Sequence, residues 1–297
     1  ITTSFTFIAT AEVIALLKLT PVLVDVDPDT FNITPEAIEK AVTPKTKAII
    51  PVHLFGQCAD MHNIRQIAKK HNLFVVEDTA QAIGADYTCP QSGKTKKAGT
   101  IGDIGCTSFF PSKNLGAFGD GGAIFTNDDE LADQMRVVVN HGMAVRYYHD
   151  YIGVNSRLDS MQAAVLDIKL KHLNEYTKAR QEAADFYNRA FANNPKIKTP
   201  VTADFTNHVY HQYTLVLNGV DREGLMAHLA DKGVASAVYY PVPLHLQKAY
   251  IDPRYHEGDF PVTEMLSKSV ISLPIHTELT PDIQKEITDA LLEYVNS

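Results

Sequence analysis

Tryptophan is absent from this sequence and cysteine occurs only three times, at Cys58, Cys89 and Cys106. These cysteines lack the paired spacing of a zinc site or a disulfide framework, so they read as free thiols of a reducing, cytoplasmic compartment. Basic residues are also scarce: 27 Lys+Arg against 35 Asp+Glu give a formal net charge of -8, which argues against a general nucleic-acid binder. No apolar run reaches the roughly 18–20 residues of a membrane helix. The longest, around Phe7 to Leu19, is broken by Thr10, Glu12 and Lys18. No secretory signal is visible. No GxGxxG follows a strand pattern, which leaves a dinucleotide fold unsupported. Gly93-Lys94-Thr95 faintly resembles a nucleotide phosphate loop, but Thr88 stands where that loop needs glycine.

What is present is 297 residues at 45% hydrophobic content, enough for one large domain or two ordinary ones. Short apolar strands alternate with helices. Pro21–Val26 is a strand, Pro35–Val42 a helix opened by proline, and Ala48–Val52 a strand. Met61–His71 is a helix capped by Asp60, and Leu73–Val76 a strand ending in Glu77-Asp78. Continuous apolar strands of this kind belong to a parallel sheet covered on both faces, with ligands beyond the strands' carboxyl ends. Asn127–Asn140 reads as a helix, Arg146-Tyr147-Tyr148-His149 as a loop, and Ser160–Phe191 as one long amphipathic helix. Asn193-Asn194-Pro195 breaks the pattern, so we place a boundary there. The expectation is a large α/β domain over 1–192 and a small α+β domain over 193–297. The latter holds strands at Tyr210–Leu217, Ala235–Tyr240 and Val270–Leu273, with helices at Arg222–Lys232 and Pro281–Tyr294.

One stretch organises the rest: Cys106 to Gly122, CTSFFPSKNLGAFGDGG. A strand-like start runs into a Pro111-Ser112 turn, and glycines accommodate the tight path that returns through Ala123–Thr126. Between the two strands sits Lys113. A lysine is ordinarily a solvated surface charge. One lodged among apolar groups has a depressed pKa, and its neutral amine can form a Schiff base with a carbonyl. The carbonyl most often used this way is that of pyridoxal 5'-phosphate (PLP), which also needs a phosphate site, an acid partner for its pyridine nitrogen and a flat group against its ring. Asp78, at a strand end, supplies the acid, although a helix cap at Thr79 is an equal alternative. Gln81 lies one turn on. Ser108 offers a hydroxyl for phosphate, although a strand serine is usually structural.

Taken together, TSFFPSKNLGAFGDGGAIFTND, VVEDTAQAIGA, VDVDPDTFNI, GVNSRLDSMQAAVL and YYPVPLH resemble the DegT/DnrJ-type PLP-dependent nucleotide-sugar aminotransferases. Within them, the enzymes that aminate the 3-keto group of a UDP-N-acetylhexosaminuronic acid are most similar. The resemblance spans essentially the whole chain. It implies PLP fold type I, a homodimer with shared active sites, and an amino group carried from glutamate to a UDP-linked keto-sugar for surface polysaccharide biosynthesis. It further implies that Lys113 forms the internal aldimine, Asp78 pairs with the pyridine nitrogen, and Ser108 binds phosphate. Gln81 would lie near the ring hydroxyl and Phe7 would stack on the ring. Asn155 would reach the phosphate of the neighbouring subunit's cofactor, and Arg157, Tyr239 and Tyr240 would face the sugar-nucleotide. Read from the residues alone, Arg157 could instead pair with Asp159, the two tyrosines could be strand packing, and His245 is a loop histidine. The family's phosphate-binding Gly-Thr helix start would lie before Ile1, so we expect residues upstream. A histidine replaces Tyr239 in some relatives. A sugar dehydratase of the same fold is the nearest alternative, though the relatives expected to dehydrate replace the lysine. A non-catalytic regulator is the alternative from another class.

Overall fold

The computed structural model describes residues 1–297. Its central sheet has the strand order Ala48–Ile49, Phe74–Asp78, Ile104–Ser108 and Gly122–Phe125. The first three run parallel and the last antiparallel. The parallel pair Thr2–Thr3 and Leu23–Val24 extends this array through a Thr2–Ile50 bridge. The expected mostly parallel α/β sheet is therefore present, with shorter strands than the apolar runs predict. The helix over Met61–His71 starts where Asp60 Oδ1 accepts the Asn63 N–H at 3.2 Å, the cap expected from sequence. It buries Met61, Ile64 and Ala68 against Ile49 and Val75 of the sheet.

A second sheet, antiparallel, joins Ile197–Lys198, Tyr213–Leu217 and Val270–Leu273. Its core includes Leu215, Ile271, Leu225 and Leu291. Ala183, Ala184, Tyr187 and Phe191, from the helix Leu173–Phe191, pack into that same core. We propose a domain division at residues 192/193, with this helix shared between the two cores.

Three local expectations are corrected. The long helix is two, Ser160–Leu170 and Leu173–Phe191. His172 leaves helical geometry (φ -105°, ψ 1°) and makes no side-chain cap bond to the new helix, while its Nδ1 lies 2.9 Å from Glu175 Oε2 at the surface. Arg146–His149 belongs to a hairpin pairing Met143–Val145 with Tyr148–His149. Ala235–Tyr240 is irregular, tied to Val270–Leu273 by one Ala237–Ser272 bridge. Pro241 and Pro243, which follow at once, cannot donate to a ladder.

Candidate active site

The carboxyl ends of Phe74–Asp78 and Ile104–Ser108 lie side by side, with Asp78 in register with Cys106. Asp78 is thereby fixed by the sheet, and its carboxylate is engaged at both oxygens. Thr10 Oγ1 donates to Oδ2 at 2.7 Å, and the Ala80 N–H donates to Oδ1 at 3.1 Å. The second contact is the capping role the sequence left open, made within a turn. The first aims the carboxylate from a different segment. Gln81 is buried: its Oε1 accepts the Phe55 N–H at 2.7 Å and its Nε2 donates to the Tyr240 hydroxyl at 2.8 Å. The Tyr240 ring lies 6.3 Å from the ring of Phe7, which is 56% exposed and free to offer a face. Burial pushes the Tyr240 hydroxyl well above its ordinary pKa of 10, so it stays protonated.

Lys113 sits on a loop closed by hydrogen bonds of its own. The Phe109 N–H donates to Gly121 O and the Ala117 N–H to Phe109 O, each at 2.8 Å. Asn114 Nδ2 donates to Val209 O at 2.8 Å, anchoring the loop to the C-terminal half. Gly116 is required by close approach: a Cβ there would stand 2.3 Å from the Pro111 carbonyl oxygen. Burial lowers the Lys113 pKa below 10.5, and Asp78 partly opposes that by favouring the charged form. Ser108, half-buried at its strand end, accepts the Phe110 N–H at 3.2 Å.

Asp78, Gln81, Ser108, Phe7, Tyr240 and Lys113 thus gather around one end of the sheet. Asn155 and Arg157 do not. Both are exposed, and both line a cavity of about 990 Å³ bounded by Gly122–Phe125 and the helix Asp129–Val139. None of Asp78, Gln81 or Lys113 borders that cavity. The Asp159 carboxylate caps the next helix by accepting the Gln162 N–H at 2.9 Å and makes no ion pair with Arg157. His245 is buried, with Nε2 at 3.0 Å from Glu264 Oε1, and so is a packing group rather than an open loop residue.

Three contributors escaped the sequence reading. Thr10 gave no signal, because its partner is distant in sequence. His211 is buried with Nδ1 unpartnered, and burial, with Lys113 and Arg180 nearby, holds its pKa well below 6.5. The doubled histidine in His208-Val209-Tyr210-His211 was its only trace. His53 and Glu77 form a buried pair at 2.8 Å behind the site. His53 Nδ1 accepts the Ala59 N–H, so its proton lies on Nε2 and is donated to Glu77.

The donor set fits PLP: an amine of lowered pKa for its aldehyde, a doubly oriented carboxylate for its ring nitrogen, a hydroxyl at a strand end and an exposed aromatic face.

Comparisons with known proteins agree. The DegT/DnrJ/EryC1/StrS aminotransferase family matches residues 1–292. A Geobacillus stearothermophilus protein named as a pleiotropic regulatory protein is 49% identical, over 99% of this chain and 77% of its own length. The UDP-2-acetamido-2-deoxy-3-oxo-D-glucuronate aminotransferase of Pseudomonas aeruginosa is 46% identical, over 98% of this chain and 78% of its own. The crystal structure of S. venezuelae DesV in complex with a ketimine intermediate superposes with a TM-score of 0.93 at 40% identity, covering 100% of this chain and 78% of that one.

Proposed function

Because the chain belongs to the DegT/DnrJ/EryC1/StrS aminotransferase family, we propose that it transfers an amino group from glutamate to the 3-keto group of a UDP-linked N-acetylhexosaminuronate. The wider setting we propose is surface polysaccharide biosynthesis in the cytoplasm. At the coarser level the protein is a PLP-dependent aminotransferase of nucleotide-linked sugars. The 3-keto acceptor is supported by the P. aeruginosa relative, which acts on a 3-oxo-glucuronate. The observation that carries the mechanism is Lys113, a half-buried amine of lowered pKa electrostatically coupled to Asp78.

When bound, PLP stabilises negative charge at the donor's α-carbon. Lys113 would hold its aldehyde carbon, Asp78 its pyridine nitrogen, Ser108 its phosphate, Gln81 its ring hydroxyl and Phe7 its ring face. The burial that lowers the Lys113 pKa raises the share of neutral amine near pH 7. That amine would take the proton from the donor's α-carbon, with Lys113 as the base. Thr10 holds the Asp78 carboxylate in place and directed, while Gln81 fixes the Tyr240 hydroxyl as a donor towards substrate. Tyr239 stands beside it, with ring centroids 5.9 Å apart. Asn155 and Arg157 would act in the other subunit of a homodimer, Asn155 at its phosphate and Arg157 on the sugar-nucleotide in bidentate fashion. Their exposure and separation from Lys113 support this arrangement.

The test is the visible absorption spectrum of the PLP-loaded protein before and after glutamate. A band of lysine-bound cofactor that bleaches with glutamate and not with alanine supports the donor assignment. A band insensitive to glutamate removes it. Absence of any band with added PLP favours the regulatory role that the Geobacillus relative's name raises.

A further inference from the structure

Away from Lys113, a cavity of about 600 Å³ lies between the helix Met61–His71 and the hairpin formed by Asp86–Thr88 and Thr95–Lys97. Cys89 opens the turn of that hairpin. Its N–H donates to Lys94 O at 2.9 Å, and its carbonyl accepts the Gly93 N–H at 2.8 Å. Gly93 has φ +65°, a left-handed turn position that suits glycine. Cys89 Sγ lies 3.5 Å from His62 Nδ1. The other ring nitrogen of His62 lies 2.7 Å from Gln66 Nε2. An amide N–H can only donate, so Nε2 of the imidazole accepts and the ring proton sits on Nδ1, pointing at the sulfur. A donor there favours thiolate over thiol.

The walls are cationic. Arg65 and Lys69 come from the helix, and Lys94 and Lys96 from the hairpin. Arg65 is paired with Asp103 at 2.7 Å, while Lys69, Lys94 and Lys96 have no carboxylate partner. Tyr87 completes the lining near the sulfur, its hydroxyl accepting the His62 N–H at 2.8 Å. The other two thiols are shifted the opposite way. Burial pushes Cys58 up to about 12, and burial with Asp78 pushes Cys106 up to about 11. The Ser92 hydroxyl and N–H, with Gln91 and His62, bring Cys89 down to about 7, against the opposing effect of desolvation.

We propose that Cys89 is a thiol-modification site that reacts with small anionic disulfides, recognised by the Lys69, Lys94 and Lys96 ammonium groups and activated by the His62 Nδ1–H. The Cys89 thiolate attacks one sulfur of the disulfide. A new S–S bond forms, the old one breaks, and the displaced thiolate leaves with the bonding pair. It takes up the proton that Cys89 released to solvent on ionising, so no outside oxidant is needed. The three free cations set the preference for negative charge, and salt weakens it.

The experiment treats PLP-loaded protein at pH 7 with glutathione disulfide (anionic), bis(2-hydroxyethyl) disulfide (neutral) and cystamine (cationic). Each rate is normalised to that of free cysteine, and modified residues are located by peptide mass mapping. Expected is Cys89 labelling alone, with glutathione disulfide favoured over cystamine by about tenfold at low salt. In the doubly substituted Lys94→Glu, Lys96→Glu protein the order should invert, and His62→Leu should slow all three reagents. Equal normalised rates for the three disulfides, or Cys106 reacting as fast as Cys89, overturns the proposal. Cys89→Ser should lose the label and keep its aminotransferase rate, which separates this result from any failure of the sugar assignment.

Discussion

The residues expected to act at the site divide into two groups with opposite surroundings. Asp78 and Gln81 are held within the chain: both Asp78 carboxylate oxygens and both Gln81 amide atoms have partners between 2.7 and 3.1 Å. Asn155 and Arg157 stand exposed on a segment anchored by an Asn140–Asn155 backbone bridge, beside a different cavity. The first arrangement is what chemistry needs, since groups that hold the reacting parts must be positioned before substrate arrives. The second is what a completed surface needs: polar side chains that become useful only when something else is laid against them. On the proposed reading, one chain would supply the reacting end of a site and, beside a separate cavity, part of another.

The largest test of this contrast is to remove the lysine. Lys113→Ala should lower turnover by more than about a thousandfold, the loss of a covalent attachment and of a positioned base together. Its melting temperature should hold or rise, because burying this amine is unfavourable for the charged form. Steady-state kinetics with a parallel thermal melt would check both, and normal turnover would refute the assignment.

Mixing variants breaks the contrast directly. Arg157→Ala should also be nearly inactive with the nucleotide-sugar. If Arg157 serves the neighbouring subunit, an equal mixture of Lys113→Ala and Arg157→Ala chains, unfolded and refolded together, forms one intact site per hybrid. Roughly a quarter of wild-type activity then returns, since half the dimers are hybrids with one of two sites whole. No recovery would mean that Arg157 acts within its own chain.

A third substitution asks what holds the first group in place. Glu77 precedes Asp78 and accepts from His53, Gly99, Ile101 and Gly102. Burial alone would raise its pKa, but His53 and the N–H groups of Gly102 and Gly99 outweigh burial and hold it below 4.5. A carboxyl lowered in the folded state stabilises the fold above its unfolded pKa, and that stability is lost as pH falls through the folded value. Glu77→Gln should therefore cost about 2–4 kcal/mol at pH 7, with a deficit that shrinks as pH falls below the carboxyl's ordinary 4.5 and through its lowered folded value. Urea unfolding across that pH range measures it. Activity per folded molecule should change little.

The difference between the groups also explains what could be read from sequence. The places of Asp78, Ser108 and Lys113 in the fold were legible, because strand ends and a proline–glycine loop announce themselves locally. The parallel sheet was legible for the same reason, since Ala48–Val52 and Leu73–Val76 announce two of its strands as apolar runs. Thr10 and His53 were not, because their meaning lies in partners 68 and 24 residues away. The break at His172 was hidden because no proline or glycine marks it: the residues from Leu170 to Leu173 are all compatible with a helix. The hairpin at Met143–His149 was missed because exposed aromatics give no alternation to a buried face.

Thr10 offers the smallest effect and the most specific. Its hydroxyl gives Asp78 Oδ2 a donor at 2.7 Å, and Oδ1 is already occupied by the Ala80 N–H. Thr10→Val keeps the buried shape and removes only that donor, so the helix beginning at Ala9 should still form. A hydrogen bond to a charged group contributes about 1.5–3 kcal/mol, and water entering the site replaces part of it, which leaves a fall in kcat of about three- to tenfold. If Thr10 acts by aiming Asp78, PLP affinity should fall with kcat, KM for the sugar should hold, and Thr10→Ser should recover most of both. If it is only a packing residue, the melting temperature drops instead, PLP affinity is unchanged, and the hydroxyl of Thr10→Ser brings no recovery. That outcome would leave the carboxylate positioned by the sheet alone, and shrink the pre-organised group to what the strands themselves hold.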